Sequence, residues 1–199
     1  MTTPAEKTLT LIIGGARSGK SSLAERLASR YDRVLFVATA QPGDAEMAGR
    51  IAAHRSARPV AWDTLEEPFN PGGALIRASR YRGKRYDVIV IDCLTLWVSN
   101  LMLADAPESP ETGDPPDYDA ESATLLEAYE TGDTSWIIVT NEVGLGVVPP
   151  SQSGRAFRDA LGRVNAAFAH RADRVISMTA GLALDLKSLG ARPWDEFAP

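Results

Sequence analysis

Apolar residues fall along this chain in short, β-branched runs separated by amphipathic stretches. "LTLII" (9–13), "RVLFVAT" (33–39), "DVIVID" (87–92), "WIIVTN" (136–141) and "RVISMT" (174–179) read as strands buried on both faces. Helical spacing appears between them, at about 20–31, 44–57, 73–82, 94–104, 118–131 and 154–171. Strands alternating with helices predict an α/β fold, a mostly parallel central sheet with helices on both faces. A final alternating stretch, "LALDLK" (182–187), suits an edge strand or a hairpin arm. The pattern lapses twice. "ADAPESPETGDPPDYDAE" is acidic and proline-rich, which predicts an exposed loop over about 104–118. The tail 188–199 is irregular, with Trp194 and Phe197 as the residues expected to dock it.

At 199 residues, the length predicts one domain over 1–199. The 44% apolar and 24% charged content is that of a globular protein. No apolar run approaches bilayer length, and "MTTPAEKT" is unlike a signal peptide, so a cytoplasmic protein without a membrane span is expected. A single cysteine, Cys93, fits a reducing compartment. The net charge of −5 argues against nucleic acid as a partner.

The first strand runs into Gly14-Gly15-Ala16-Arg17-Ser18-Gly19-Lys20-Ser21, the G-x4-G-K-S spacing of a P-loop. Glycines there let backbone N–H groups wrap phosphate oxygens. Lys20 adds charge at the β/γ end, and the Ser21 hydroxyl can reach Mg²⁺. The helix that follows adds a partial positive charge. With a strand before it and a helix after it, the motif predicts a nucleoside triphosphate site. Asp92 ends the third apolar run in the manner of a Walker-B acid, a second candidate Mg²⁺ contact; its alternative is a cap for the next helix. Asn141 and Glu142, at the end of the fourth run, are candidates for substrate or metal contact.

"EMAGRIAAHRSARPVAW" (46–62) reads as a helix, with Asp44 and Glu46 in its first turn and Pro59 at its end. Met47, Ile51, His54 and Arg58 fall on one stripe, which predicts that His54 faces an apolar interior. Taken alone, such a residue is a packed, hydrogen-bonded histidine. The other histidine, His170, near a helix end, reads as dipole-stabilised or solvated.

"GGARSGKS", "VATAQPGDAEMAGRIAAHRSARP", "DCLTLWVSNL" and "VTNEVGLGVVP…GRAFRDALGRVN", in that order, resemble the bifunctional adenosylcobinamide kinase / adenosylcobinamide-phosphate guanylyltransferase family of cobalamin biosynthesis. The likeness spans about 9–187. It implies a RecA-like P-loop NTPase and a homotrimer. It also implies two reactions: phosphorylation of adenosylcobinamide by ATP or GTP, then transfer of GMP from GTP to adenosylcobinamide phosphate. The GMP is carried on a histidine, which the "R-I-x-x-H" pattern places at His54. Nucleotide contacts are implied at Gly14 to Ser21, at Ala38, Thr39 and Ala40, at Arg55, Ser56, Ala57 and Arg58, and at Glu66 and Asp92. Ala40 stands where a hydroxyl is expected.

The chemistry suits these residue types. Phosphoryl transfer needs positioning, Mg²⁺ and positive charge, which Lys20, Ser21 and Asp92 supply. Guanylyl transfer displaces pyrophosphate at the α-phosphorus, and a covalent histidine intermediate splits it into two displacements. Two alternatives remain open from sequence: a P-loop small-molecule kinase with no covalent nucleotide intermediate, and a non-catalytic or ATPase-type RecA-like module.

Overall fold

The computed structural model describes residues 6–43, 45–81, 85–104 and 116–197. The acidic stretch expected as a loop falls mostly outside them, as does Asp44. Among the described residues, seven strands form one sheet: β1 (Leu9–Gly14), β2 (Val34–Ala38), β3 (Asp63–Glu66), β4 (Val88–Asp92), β5 (Ser135–Asn141), β6 (Arg174–Thr179) and β7 (Leu182–Asp185). Their order is β3-β2-β4-β5-β1-β6-β7. All neighbours are parallel except β6 and β7, so "LALD" is the antiparallel edge strand. One strand, β5, separates the strand carrying the glycine motif from the strand carrying Asp92.

Among the described residues, six α-helices connect the strands: α1 (Lys20–Ala28), α2 (Ala45–Ala57), α3 (Pro71–Tyr81), α4 (Leu94–Ala104), α5 (Tyr118–Thr131) and α6 (Gln152–Arg171). Alternating strand residues point to opposite faces and build two apolar layers. Leu11, Val37, Ile91 and Ile138 pack with Leu94, Trp97, Leu125 and Leu161 of α4, α5 and α6. On the other face, Ile12, Phe36, Val90 and Val139 pack with Ala24 and Ala28 of α1. Short side chains on α1 let it lie close to the sheet, which brings its N-terminus to the end of β1.

Three helix boundaries differ from expectation, each for a local reason. The first helix ends at Ala28, where Ser29 turns its hydroxyl onto Arg26 O at 2.9 Å. α3 begins at Pro71, whose fixed φ suits a first helical position, with Asn70 Oδ1 accepting Gly73 N–H at 2.8 Å. α6 begins at Gln152 because Ser151 caps it, accepting Gly154 N–H at 3.1 Å. β3 was not anticipated at all, since "DTLE" carries one apolar residue.

Candidate active site

Because β1 to β6 run parallel, their carboxyl ends share one edge, where ligands of open α/β sheets bind. Gly14, Ala38, Glu66, Asp92 and Asn141 all end strands there. Register brings Ala38 level with both Asp92 and Glu66, and Gly14 level with Asn141.

Gly14 is required by close packing: a Cβ there would sit 2.2 Å from Met178 O on β6. Gly19 caps α1 in the left-handed region at φ 96°, and Arg17 is also left-handed at φ 58°. Gly15, Ala16 and Arg17 are exposed, whereas Ser18 and Lys20 are buried. Lys20 Nζ donates to Gly15 O at 2.6 Å, folding the side chain back over its own loop. Burial lowers the Lys20 pKa, and the Cys93 and Asp92 side chains oppose that shift.

Asp92 faces this loop. Burial raises its carboxyl pKa, and the Ser21 hydroxyl, His54, Arg58 and Lys20 lie near enough to oppose that shift. A hydroxyl and a carboxylate near one another at the foot of a phosphate loop are hard oxygen donors that suit Mg²⁺, which takes one or two protein oxygens plus phosphates and water. Among the described residues no three His, Cys, Asp or Glu side chains cluster as a metal cage. The donor set therefore fits a metal held jointly with a nucleotide.

The end of β2 is knitted to β4. Thr39 Oγ1 donates to Cys93 O at 2.7 Å and accepts Cys93 N–H at 2.8 Å. Asn100 Nδ2 donates to Thr39 O at 2.7 Å and Pro68 O at 3.0 Å. The Thr39 hydroxyl is thus committed to holding the strand ends together, with Ala38 buried and Ala40 partly exposed beside it. Burial, with the Asp92 charge adding to it, pushes the Cys93 thiol up to about 12.

α2 corrects one expectation. His54 is exposed rather than turned into an apolar interior, and none of the helix's described side chains is buried. The stripe is too thin to bury: Ile51 is its one aliphatic residue with a described side chain and is half-buried, and Met47 lies outside those described. Arg55, Ser56 and His54 all reach solvent; Ala57's side chain is outside those described. Arg55 forms an ion pair with Glu66 at the end of β3. Arg58 is half-buried, its guanidinium carbon 3.6 Å from the centroid of the Phe36 ring.

On the far side of the phosphate loop, Glu142 N–H donates to Gly14 O at 3.1 Å, and the Glu142 carboxylate accepts Gly144 N–H. Asn141 is held through its backbone by Thr95 Oγ1 at 2.7 Å and Asn165 Nδ2 at 3.0 Å. Thr140 Oγ1 donates to Asn165 Oδ1 at 2.7 Å, completing a buried polar brace between α4, β5 and α6. His170 sits in the last turn of α6, half exposed, with Nδ1 3.8 Å from Asp195. Trp194 and Asp195 line a groove with Leu126 and Ala167, but Trp194 and Phe197 are 84% and 60% exposed, so neither aromatic is buried to dock the tail as expected. A cavity of about 1250 Å³ lies at the other end of the strands, lined by Arg33, Asp63, Asp87 and Ser135, and shares no residue with the phosphate loop.

Sequence reasoning passed over Phe36, Trp62, Asn100 and Thr95. Phe36 carries the Arg58 guanidinium and stacks with Trp62, and the others brace the strand ends. Asn100 and Thr95 had a usable signal: both are polar residues inside the strongly apolar helix "LTLWVSNL".

The family model described as "Cobinamide kinase / cobinamide phosphate guanyltransferase" (CobU) matches residues 10–186. The chain is 46% identical over 178 residues to the bifunctional adenosylcobalamin biosynthesis protein CobP of Pseudomonas aeruginosa, covering 89% of this chain and 96% of that protein. It is 37% identical over 186 residues to the bifunctional adenosylcobalamin biosynthesis protein CobU of Escherichia coli, covering 89% and 98%. Among solved structures, the assembled ATPase EscN of the enteropathogenic E. coli type III secretion system superposes with a TM-score of 0.53 at 14% identity, over 90% of this chain and 48% of that one. That likeness bears on the fold alone, an α/β domain with a mostly parallel central sheet.

Proposed function

From the premise that this chain belongs to the cobinamide kinase / cobinamide phosphate guanyltransferase family, we propose that it phosphorylates adenosylcobinamide with ATP or GTP and then guanylylates the product through His54. The observation that supports this best is the meeting of three parts at one strand edge. The Ser21 hydroxyl of the phosphate loop, His54 and Arg58 all lie within electrostatic reach of the Asp92 carboxylate.

In the kinase step, backbone N–H groups of Gly15 to Ser21 receive the nucleotide phosphates. Lys20 exchanges its bond to Gly15 O for the β- and γ-phosphates. The adenosylcobinamide hydroxyl attacks the γ-phosphorus, and the nucleoside diphosphate leaves. Ser21 and Asp92 are the residues that would hold Mg²⁺, which, when bound, offsets phosphate charge. In the second step an imidazole nitrogen of His54 attacks the α-phosphorus of GTP, and pyrophosphate leaves. A phosphate oxygen of adenosylcobinamide phosphate then displaces His54, forming adenosylcobinamide-GDP and freeing the imidazole. Arg55 and Arg58 offset charge on the departing phosphates. Within the proposal, Gly14 to Ser21, Ala38 to Ala40, Arg55 to Arg58, Glu66 and Asp92 are the nucleotide-contacting positions.

No helix among the described residues is long and apolar enough to cross a membrane. A cytoplasmic homotrimer completes the proposal, and sedimentation equilibrium of the purified protein tests its oligomeric part. The activity is tested by supplying adenosylcobinamide and GTP and identifying products by mass spectrometry. Adenosylcobinamide-GDP with released pyrophosphate is expected. Accumulation of adenosylcobinamide phosphate alone would leave only the kinase reading standing.

A further inference from the structure

Arg58 is held in a way that no other described arginine near the site is. Its guanidinium carbon lies 3.6 Å from the Phe36 ring centroid, and its Nε is buried with no hydrogen-bond partner among the described residues. Phe36 itself is 1% exposed and also stacks with Trp62, at 6.5 Å between centroids and 21° between planes. Arg33 and Arg55 show the ordinary alternative, since each forms an ion pair with a carboxylate, Asp87 and Glu66 respectively. An arginine serving stability alone would be expected to take such a partner, because a buried, unsatisfied donor is unfavourable. Carboxylates are within electrostatic reach of Arg58, namely Asp92, Glu25 and Glu66, and Arg55 opposes them. Burial nonetheless dominates and lowers the Arg58 pKa.

We propose that Phe36 is a positioning residue for the nucleotide site: its ring face holds the Arg58 guanidinium beside the Asp92 edge and keeps it off the neighbouring carboxylates, free to meet the phosphates of GTP. The proposal rests on the reading of the site given above. A flat aromatic face suits the task because it binds the cation without consuming its N–H groups. A leucine in the same place would fill the core yet offer no such face, and Arg58 could then fold onto Asp92 or Glu25.

The test compares wild type, Phe36→Leu, Phe36→Tyr, Arg58→Ala and the Phe36→Leu/Arg58→Ala double variant in guanylylation assays with GTP, alongside thermal melts. Phe36→Leu should raise KM for GTP about 2- to 30-fold, the range a cation–π contact is worth, with kcat changed much less. Phe36→Tyr should restore the wild-type KM. In the Arg58→Ala background, Phe36→Leu should add no further rise in KM. A Phe36→Leu protein with a lower melting temperature but wild-type KM would overturn the proposal, as would a full additional rise in the double variant. If Phe36→Leu does not fold, Phe36→Met carries the same expectation. Wild-type protein that turns over no GTP overturns the reading of the site itself, and with it this proposal.

Discussion

The phosphate loop and the His54 helix sit on one strand edge, but they are built differently. Lys20 and Ser18 are 7% and 6% exposed, between a buried strand and a helix laid close against the sheet. α2 buries none of its described side chains, and its C-terminal end is tied down by the Arg55–Glu66 ion pair and the Arg58–Phe36 stack. In the proposed chemistry this contrast follows the two reactions. Phosphoryl transfer asks mainly for pre-positioned charge, which close packing supplies. A histidine that accepts a nucleotide and then surrenders it to a bulky acceptor needs an accessible carrier, and an exposed helix held by side-chain contacts provides one.

Loss of the packed half has the largest expected effect. Lys20→Ala should lower both partial reactions by about 10²-fold or more, measured separately with γ- and α-labelled nucleotide. A loss confined to one reaction would mean that the two do not share the loop. Next comes Gly14→Ala, which drives a Cβ toward Met178 O and should destabilise the protein by about 1–3 kcal/mol or more in urea unfolding. An unchanged midpoint would show that β6 can give way and that this half is less tightly built than the geometry indicates.

Asp92 gives a smaller, pH-dependent effect. Its carboxyl pKa is raised in the native state, chiefly by burial. Below the ordinary carboxylate value of about 4 the group is protonated folded or unfolded, and it contributes no difference. As pH rises from there through the raised native value, the unfolded chain ionises more readily, so wild-type stability falls relative to Asp92→Asn. Thermal melts without nucleotide should show the Asn variant gaining on wild type from about pH 4 upward and then levelling off, while losing activity. The smallest effect belongs to the exposed half: Glu66→Gln removes a solvent-facing ion pair and should change stability by less than about 1 kcal/mol.

Much of this arrangement was legible in the residues. Runs such as "VIVID" announce buried parallel strands because both faces must be apolar, and the glycine motif announces a phosphate loop because its spacing matches the geometry of phosphate oxygens. What escaped depends on context that a linear pattern does not carry. β3 is an edge strand whose alternate residues face solvent, so "DTLE" lacks the apolar signal. The stripe through Ile51 and His54 has the right period, yet a helix whose apolar residues are alanines, Met47 and Ile51 has too little apolar surface to be drawn inward, so His54 turned out exposed. Thr39 is a nucleotide contact by resemblance, and its hydroxyl is taken up by the Cys93 backbone. Phe36 reads as an ordinary core residue until Arg58 is seen lying on it.

The central claim is that His54, on the exposed helix, carries GMP. Incubation with GTP labelled at the α-phosphate, followed by denaturation and gel analysis, tests it directly. The account predicts an acid-labile, alkali-stable adduct on the wild-type protein and none on His54→Ala, which still phosphorylates adenosylcobinamide from γ-labelled nucleotide. An unlabelled wild type, or equal labelling of His54→Ala, would contradict it.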